Sequence, residues 1–537
     1  MVIARIPPYW LYAVALLTLL AVVRFYTVAG IGIAENEAYY WIWAQVPSLA
    51  YFDHTAGIGI IGWAWQQVFG ADFLSYRALN NVLSLVSGLA SFAAVLTLAP
   101  NRGQAGGVSQ AGTSSWKTPS WKLMMVLLSI SLLTLHAAHL VWLPDAVFLP
   151  FLSLAFWQMC RLLGPFYTQT PYQAPKRAWA WAGLFLGLAI LAKETLILYA
   201  GLFCLLSLIH PRLRSDLWTS VWPWFGLSLI ILSGLPAVLW NMENGWAFFT
   251  FQVDHAFIAD VADDPALTER VTLNWSDMGS LFGLYLVVLG LPAVFSARFI
   301  ARTLHQHWPL WLLILLPTLL YLYIAATIGI QSRWALASLH MGLILFLSLG
   351  IAGDKNRHGR GYELWGSLAI GICIVVLTSA ILNIKSLGVK SSSVAPAFTW
   401  PVIFERLEDE RQRQEQSAGE PVLLLANTYE VTSLINYSRT QSHDFDLVQS
   451  GLAEQRTLLP ALNYKSRSNH YDFIWPELDL GGYIAILVER GQSLPPEGVF
   501  AEVWDEGVWT AEGRHYSYRI GRLIENPRPQ LYKPPTL

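Results

Sequence analysis

The chain has 537 residues, 54% of them hydrophobic and only 13% charged, where soluble domains carry roughly 25% charged residues. That composition excludes an ordinary soluble domain, and a net charge of −2 gives no basic excess for nucleic acid. The 25 Trp, 22 Tyr and 25 Phe suit rings placed at membrane interfaces.

A helix crossing the hydrocarbon needs roughly 20 apolar residues. On that rule the sequence predicts an all-α polytopic membrane domain over 1–384 with about eleven spans. They run near 9–30, 78–99, 121–141, 144–161, 178–192, 195–209, 221–240, 279–297, 308–328, 334–352 and 364–384. The first is read as an anchor, since it lacks a small-residue cleavage site. The stretch 178–209 is split in two because Lys193 and Glu194 at its centre are too costly for a lipid-facing mid-membrane position. The three cysteines, Cys160, Cys204 and Cys373, lie in apolar stretches with neither zinc-like spacing nor a disulfide framework.

One set of loops collects the cations, from Arg5, Arg102 and Lys117 through Arg212 and Arg214 to Lys355, Arg357 and Arg360. The opposite set holds only Arg77, Lys193, Arg270 and Arg333, with Arg24 unassigned. The positive-inside rule then predicts a cell (inner) membrane protein with a cytoplasmic N-terminus and an external C-terminal domain. The external set is acidic instead, with Glu35, Glu37, Asp53, Asp145 and Glu194 close to span ends.

The first external loop, 31–76, concentrates this pattern. Glu35-Asn36-Glu37-Ala38-Tyr39-Tyr40-Trp41-Ile42-Trp43 leads to Tyr51-Phe52-Asp53-His54, and an amphipathic stretch at 58–69 is too short to span. Carboxylates among rings can have their proton affinity tuned for acid–base work. They equally suit an anchor loop with rings at headgroup level and acids in water. His136 and His139, near Asp145, are the candidate ligands for a metal, though no third ligand is placed with them.

From 385 the long apolar runs stop, and a small extracytoplasmic α/β domain is predicted over 385–537. A solvated helix is expected at 402–416 and strands at 421–426, 483–489 and 516–524, divided by turns such as Gly481-Gly482 and Pro495-Pro496.

Asn36-Glu37-Ala38-Tyr39-Tyr40-Trp41 followed by Tyr51-Phe52-Asp53-His54 resembles the first-loop signature of GT-C glycosyltransferases. The branch is that of protein O-mannosyltransferases and the lipid A aminoarabinose transferase. The resemblance continues through Leu143-Pro144-Asp145, the Gly187–Lys193 helix end, Trp240-Asn241 with Asn244-Gly245-Trp246, Phe251-Gln252 with His255, and Arg333-Trp334. Asn469-His470-Tyr471-Asp472 before Trp475 extends it into the tail. Two positions depart from the pattern. The usual Asp-Glu pair is Asn36-Glu37, which moves the role of its first acid to Glu37 or Glu35, and the usual Asp-His-Pro-Pro is Asp53-His54-Thr55-Ala56.

The resemblance implies a transferase taking a sugar from a polyprenyl-phosphate donor at the external face. The acceptor would be a lipid, glycan or protein, and the reaction an inverting single displacement. It implies catalytic roles among Glu37, Asp145, Glu35 and Asp53, with Glu37 as base and Asp145 as its partner. Donor phosphate falls to Lys193, Arg333, His54, His255 and Arg77, and stacking on sugar or acceptor to Tyr40, Trp41 and Trp246. No cofactor is implied with certainty; a divalent metal is compatible. A transporter, or a flippase-like lipid-phosphate-binding protein without transferase activity, is the alternative. It would keep the phosphate cations without needing Glu37.

Overall fold

The computed structural model describes residues 7–99, 120–165, 172–257, 279, 281–283, 307–327, 332–352, 368–372, 374–375, 395–442, 462–463, 471, 481–511 and 513–525. The chain forms two compact units. One holds Met1–Val28, Arg77–Leu239 and Gln252–Ala380, and the other Ala29–Tyr76, Trp240–Phe251 and Ile381–Leu537.

The first unit is helical. Five helices are long and apolar enough to cross a membrane: Pro8–Ala29, Phe73–Leu98, Pro144–Leu163, Trp222–Glu243 and Trp308–Ala326. Shorter apolar helices cover Trp121–Leu135, Ala178–Ala192 and Leu336–Ser348. The predicted break at Lys193-Glu194 is present: Ala178–Ala192 ends there, and Lys193 is extended at φ −156°. A second break follows, where Glu194–Ile209 meets Pro211–Thr219 at 88°, Pro211 occupying the first turn where its missing N–H costs nothing. Most of the expected spans 279–297 and 364–384 lies outside the described residues, and each of the other nine meets a described helix.

Two packing details explain sequence features. Helix Ala178–Ala192 lies against Trp222–Glu243 at glycines: a Cβ on Gly183 would stand 2.1 Å from the Gly226 carbonyl, and one on Gly226 would stand 2.4 Å from that of Trp179. Small residues permit such backbone approach between membrane helices. The first two of the long helices run antiparallel: Pro8–Ala29 meets Phe73–Leu98 where Arg77 Nη1 donates to Val28 O at 2.7 Å. Farther along the same pair, a Cβ on Gly88 would meet Leu17.

The second unit contains a five-stranded sheet built from β1 (Val422–Ala426), β2 (Leu462–Asn463), β3 (Ile484–Arg490), β4 (Phe500–Ala511) and β5 (Arg514–Leu523). The order is β2-β1-β3-β5-β4. β1 pairs parallel with β2 and β3, while β3, β5 and β4 pair antiparallel. β1 is buried at every position and β3 at all but its last, as strands covered on both faces require. Helices Ala395–Ala418 and Tyr429–Ser442 belong to the same unit.

The first-loop segment is part of this unit and is not a surface strip. Glu35–Gln45 is a helix, buried continuously from Glu37 to Ala44. Trp41 meets Tyr437 edge-on at 5.0 Å, and Tyr39 lies 4.5 Å from Tyr429. The rings expected at headgroup level thus form a core with the tail. Apolar residues on all sides of a helix are the mark of a buried one, and the run Ala38–Ala44 has that pattern. Helix Gly57–Phe69 occupies the predicted amphipathic stretch.

Candidate active site

In the unit containing the tail, the helix Glu35–Gln45 opens with three polar residues. Glu37 is 1% exposed, and its Oε2 accepts the Ala34 N–H at 3.2 Å, closing the helix N-terminus. A carboxylate there also faces the positive end of the helix dipole. Glu35 forms an ion pair with Arg490 at the end of β3. Tyr39 Oη donates to Asp53 Oδ1 at 3.1 Å, and Tyr40 Oη meets His54 Nε2 at 3.2 Å. Consecutive tyrosines on the helix therefore hold consecutive residues of the turn.

The turn itself is tight. Ala50 and Thr55 form an isolated antiparallel bridge, and Tyr51 N–H donates to His54 O at 2.8 Å. These contacts shape the turn without the two prolines usual in the pattern. Tyr51 stacks on Trp43 at 4.2 Å and donates to Trp43 O at 2.9 Å. Its burial pushes the phenol well above the usual range, so it is a neutral donor. A Cβ on Gly59 would stand 1.8 Å from Tyr51 Oη, so glycine is required there.

Tyr39 is enclosed from the tail by Tyr429 at 4.5 Å and Tyr471 at 6.1 Å. Tyr471 Oη shares a 2.8 Å hydrogen bond with Ser433 Oγ, and burial raises its phenol also. Tyr471 belongs to the tail motif noted in the sequence; Asn469, His470, Asp472 and Trp475 lie outside the described residues. Tyr39, Tyr429 and Ser433 were not singled out as site residues. Only the place of Tyr39 within the motif signalled it, and nothing local marks Tyr429 or Ser433.

The Trp-Asn motif is a helix stop. Asn241 is buried, its carbonyl accepts the Trp246 N–H at 2.8 Å, and its Oδ1 accepts the Phe249 N–H at 3.1 Å, capping the helix Ala247–Phe257. Gly245 and Trp246 both have positive φ, at 61° and 64°. Trp246 is half-exposed and stacks on Phe249 at 5.8 Å. Phe251 packs on Phe52 at 4.8 Å. Trp41, by contrast, is buried, its Nε1 donating to Ala71 O at 2.5 Å. Tyr40 is likewise buried. His255 lies in the helix Ala247–Phe257, its side chain outside the described set.

In the helical unit, Asp145 stands in the first turn of Pro144–Leu163, where the helix dipole favours a carboxylate. Its Oδ1 is 2.7 Å from Lys193 Nζ, and both side chains are buried. Lys193 lies at the helix break and its Nζ stands 5.2 Å from the Phe148 ring centre, a cation–π contact. Asp145 and Phe148, three residues apart on one helix face, thus hold one ammonium. Arg77 is buried and donates to Val28 O, at the C-terminal end of the helix Pro8–Ala29. Arg333 lies in the short turn Ser332–Ala335, with its side chain outside the described set. Among the described residues no group of three or more His, Cys, Asp or Glu is placed to hold a metal ion.

No family model matches the chain, and no curated protein matches it in sequence. Among solved structures, ArnT from Cupriavidus metallidurans matches in two crystal structures. Bound to undecaprenyl phosphate it is 12% identical with a TM-score of 0.54, over 95% of this chain and 98% of that one. In the apo state it is 11% identical with a TM-score of 0.56, over 95% and 97%. The S. cerevisiae O-mannosyltransferase Pmt1-Pmt2 complex bound to the sugar donor matches over 47% of this chain and 34% of that one, at 15% identity and a TM-score of 0.30. Over 95% of its length this chain has the fold of ArnT.

Proposed function

We propose that the chain is a membrane glycosyltransferase that moves a sugar from a polyprenyl-phosphate donor to a lipid, glycan or protein acceptor at the external face. The observation that carries this is the ring-lined first-loop helix, with Glu37 buried at its start and Asp53 gripped by Tyr39. The fold is that of ArnT, which one crystal structure describes bound to undecaprenyl phosphate.

The reaction is one displacement at the anomeric carbon. The acceptor oxygen or nitrogen forms its bond to that carbon as the bond to the phosphate oxygen breaks, so the configuration inverts. The acceptor proton passes to Glu37 as general base. The electron pair leaves on the polyprenyl phosphate, whose growing charge is met by cations. Lys193 and Arg333 take that role, the Lys193 ammonium exchanging its pair with Asp145 for the phosphate. Trp246, half-exposed and stacked, suits the apolar face of a sugar. Glu35 serves the architecture through Arg490 and is not the base.

The test is turnover of Glu37→Gln and Glu35→Gln in parallel, with a lipid-extract donor and mass detection of product. General-base removal costs about 10²–10⁴ in rate, so Glu37→Gln should lose turnover by that factor while still binding donor. Glu35→Gln should lose less. Full turnover in both variants would leave the carboxylates without a catalytic part and favour a lipid-phosphate-binding protein instead.

A further inference from the structure

Arg24 stands within the helix Pro8–Ala29 and is 3% exposed. A guanidinium at such depth is costly unless its charge and N–H groups are matched. Among the described residues its one hydrogen bond runs from Nη2 to Ser131 Oγ, a long contact of 3.4 Å. Among the described residues Nε and Nη1, both buried, have no partner, which leaves three N–H donors unspent there.

The neighbours at this level share the deficit. The helices Pro8–Ala29 and Phe73–Leu98 run antiparallel, with Arg77 at Val28 and Gly88 against Leu17. One turn back from Val28 is Arg24, and one turn on from Arg77 are Asn80 and Asn81. Among the described residues both amide atoms of Asn80 are buried without a partner, as is Asn81 Oδ1.

The third wall comes from a backbone irregularity. Ser131–Leu135 is a π turn, in which His136 N–H donates to Ser131 O. Residues five apart on an α-helix diverge by about 140°. The π turn brings His136 back to the side of Ser131, and such turns recur at functional sites. His136 Nε2 is buried without a partner among the described residues. Ser131, the residue that Arg24 reaches, is the one whose carbonyl the His136 N–H meets.

The same bundle satisfies a buried polar group where only protein is involved. His340 is fully buried, with Ser91 and Ser153 Oγ each 2.9 Å from Nε2 and Thr134 Oγ1 2.8 Å from Nδ1. Among the described residues Arg24 has no such shell. A guanidinium repels a metal ion and is matched by an anion.

We propose that Arg24, Asn80 and His136 form an oxyanion site inside the helical unit that takes a phosphate, free or as the monophosphate headgroup of a lipid. Guanidinium N–H groups suit phosphate oxygens, the Asn80 amide adds a donor, and His136 Nε2 can accept from a protonated phosphate oxygen or donate to an ionised one. The opposite face of the same helix is exposed at Leu19, Val22, Val23 and Tyr26, so one helix separates Arg24 from surrounding lipid. The site uses none of the residues assigned above to sugar transfer, and it stands whether or not that assignment does.

The experiment is thermal unfolding of the detergent-solubilised full chain, titrated in separate arms with inorganic phosphate and with undecaprenyl phosphate. At least one probe should raise the Tm of the wild type. Arg24→Met, which keeps length and removes charge, should require at least a tenfold higher concentration for the half-maximal shift. Its ligand-free Tm should equal or exceed that of the wild type, because an unmatched buried charge is gone. A shift with inorganic phosphate assigns a free anion; a shift with undecaprenyl phosphate alone assigns a lipid headgroup. The proposal is overturned if neither probe shifts the wild type, or if Arg24→Met responds as the wild type does. Should Arg24→Met not fold, His136→Leu carries the same test with the same tenfold criterion.

Discussion

The Asp145–Lys193 pair separates a structural reading of Lys193 from a functional one. The two groups lie 2.7 Å apart, both side chains are buried, and the Phe148 ring covers the ammonium. Removing one member of a buried pair leaves an uncompensated charge and costs about 3–5 kcal/mol. Lys193→Met and Asp145→Asn should each destabilise the protein on that scale in denaturant or thermal unfolding. The double variant leaves neither charge, and we expect it to lie within about 1 kcal/mol of the wild type, since replacing both members is often neutral. Donor binding should follow a different pattern. A hydrogen bond to a charged group contributes about 1.5–3 kcal/mol, or about 10- to 150-fold in affinity. Lys193→Met and the double variant should lose binding by that factor. Asp145→Asn, which frees the ammonium from its competitor, should retain or tighten it. If the double variant recovers donor binding along with stability, Lys193 is a structural partner of Asp145 and the phosphate assignment is refuted.

Two further outcomes are expected, one from the packing and one from the basic loops. Gly59→Ala places a methyl on the Tyr51 hydroxyl, so it should destabilise by about 2 kcal/mol, within the range for overpacking; Tyr51→Phe in the same chain should recover part of that loss, and no loss in unfolding measurements would contradict the close contact. A reporter fused after residue 390 should be active only on the external side; cytoplasmic activity would reverse the orientation read from the basic loops.

The helical scaffold was legible because bilayer-length apolar runs carry a strong signal. The split at Lys193-Glu194 was legible for the same reason, since two charges in an apolar run have few places to go. The tail strands at 421–426, 483–489 and 516–524 met β1, β3 and β5. The fate of the first loop was not legible. Tyr39, Tyr40, Trp41 and Trp43 suit a membrane interface and a protein core equally well, because rings favour both. Tyr429 and Tyr437, which decide the matter, lie almost 400 residues away, and no local pattern announces such a contact. Likewise Asp145 and Lys193 each showed a charge at a helix end, while their pairing depends on how Pro144–Leu163 and Ala178–Ala192 pack.

The buried first-loop helix also bears on the missing acid at Asn36. Three consecutive residues open that helix, and two have defined employment. Glu35 is held by Arg490, and an ion-paired carboxylate must break its pair before it can accept a proton. Glu37 accepts the backbone N–H of Ala34 and is enclosed by the ring-rich core. Asn36, between them, offers an amide that accepts hydrogen bonds without taking up a proton. On the proposed function, the base at this helix start falls to Glu37, unless Asp53 takes the role from the turn. Asp53 accepts from the Tyr39 phenol, a neutral donor that can stabilise a carboxylate without cancelling its charge. The two candidates thus differ in what holds them, and Glu37 keeps the better claim because it occupies the motif position next to the one that lost its acid.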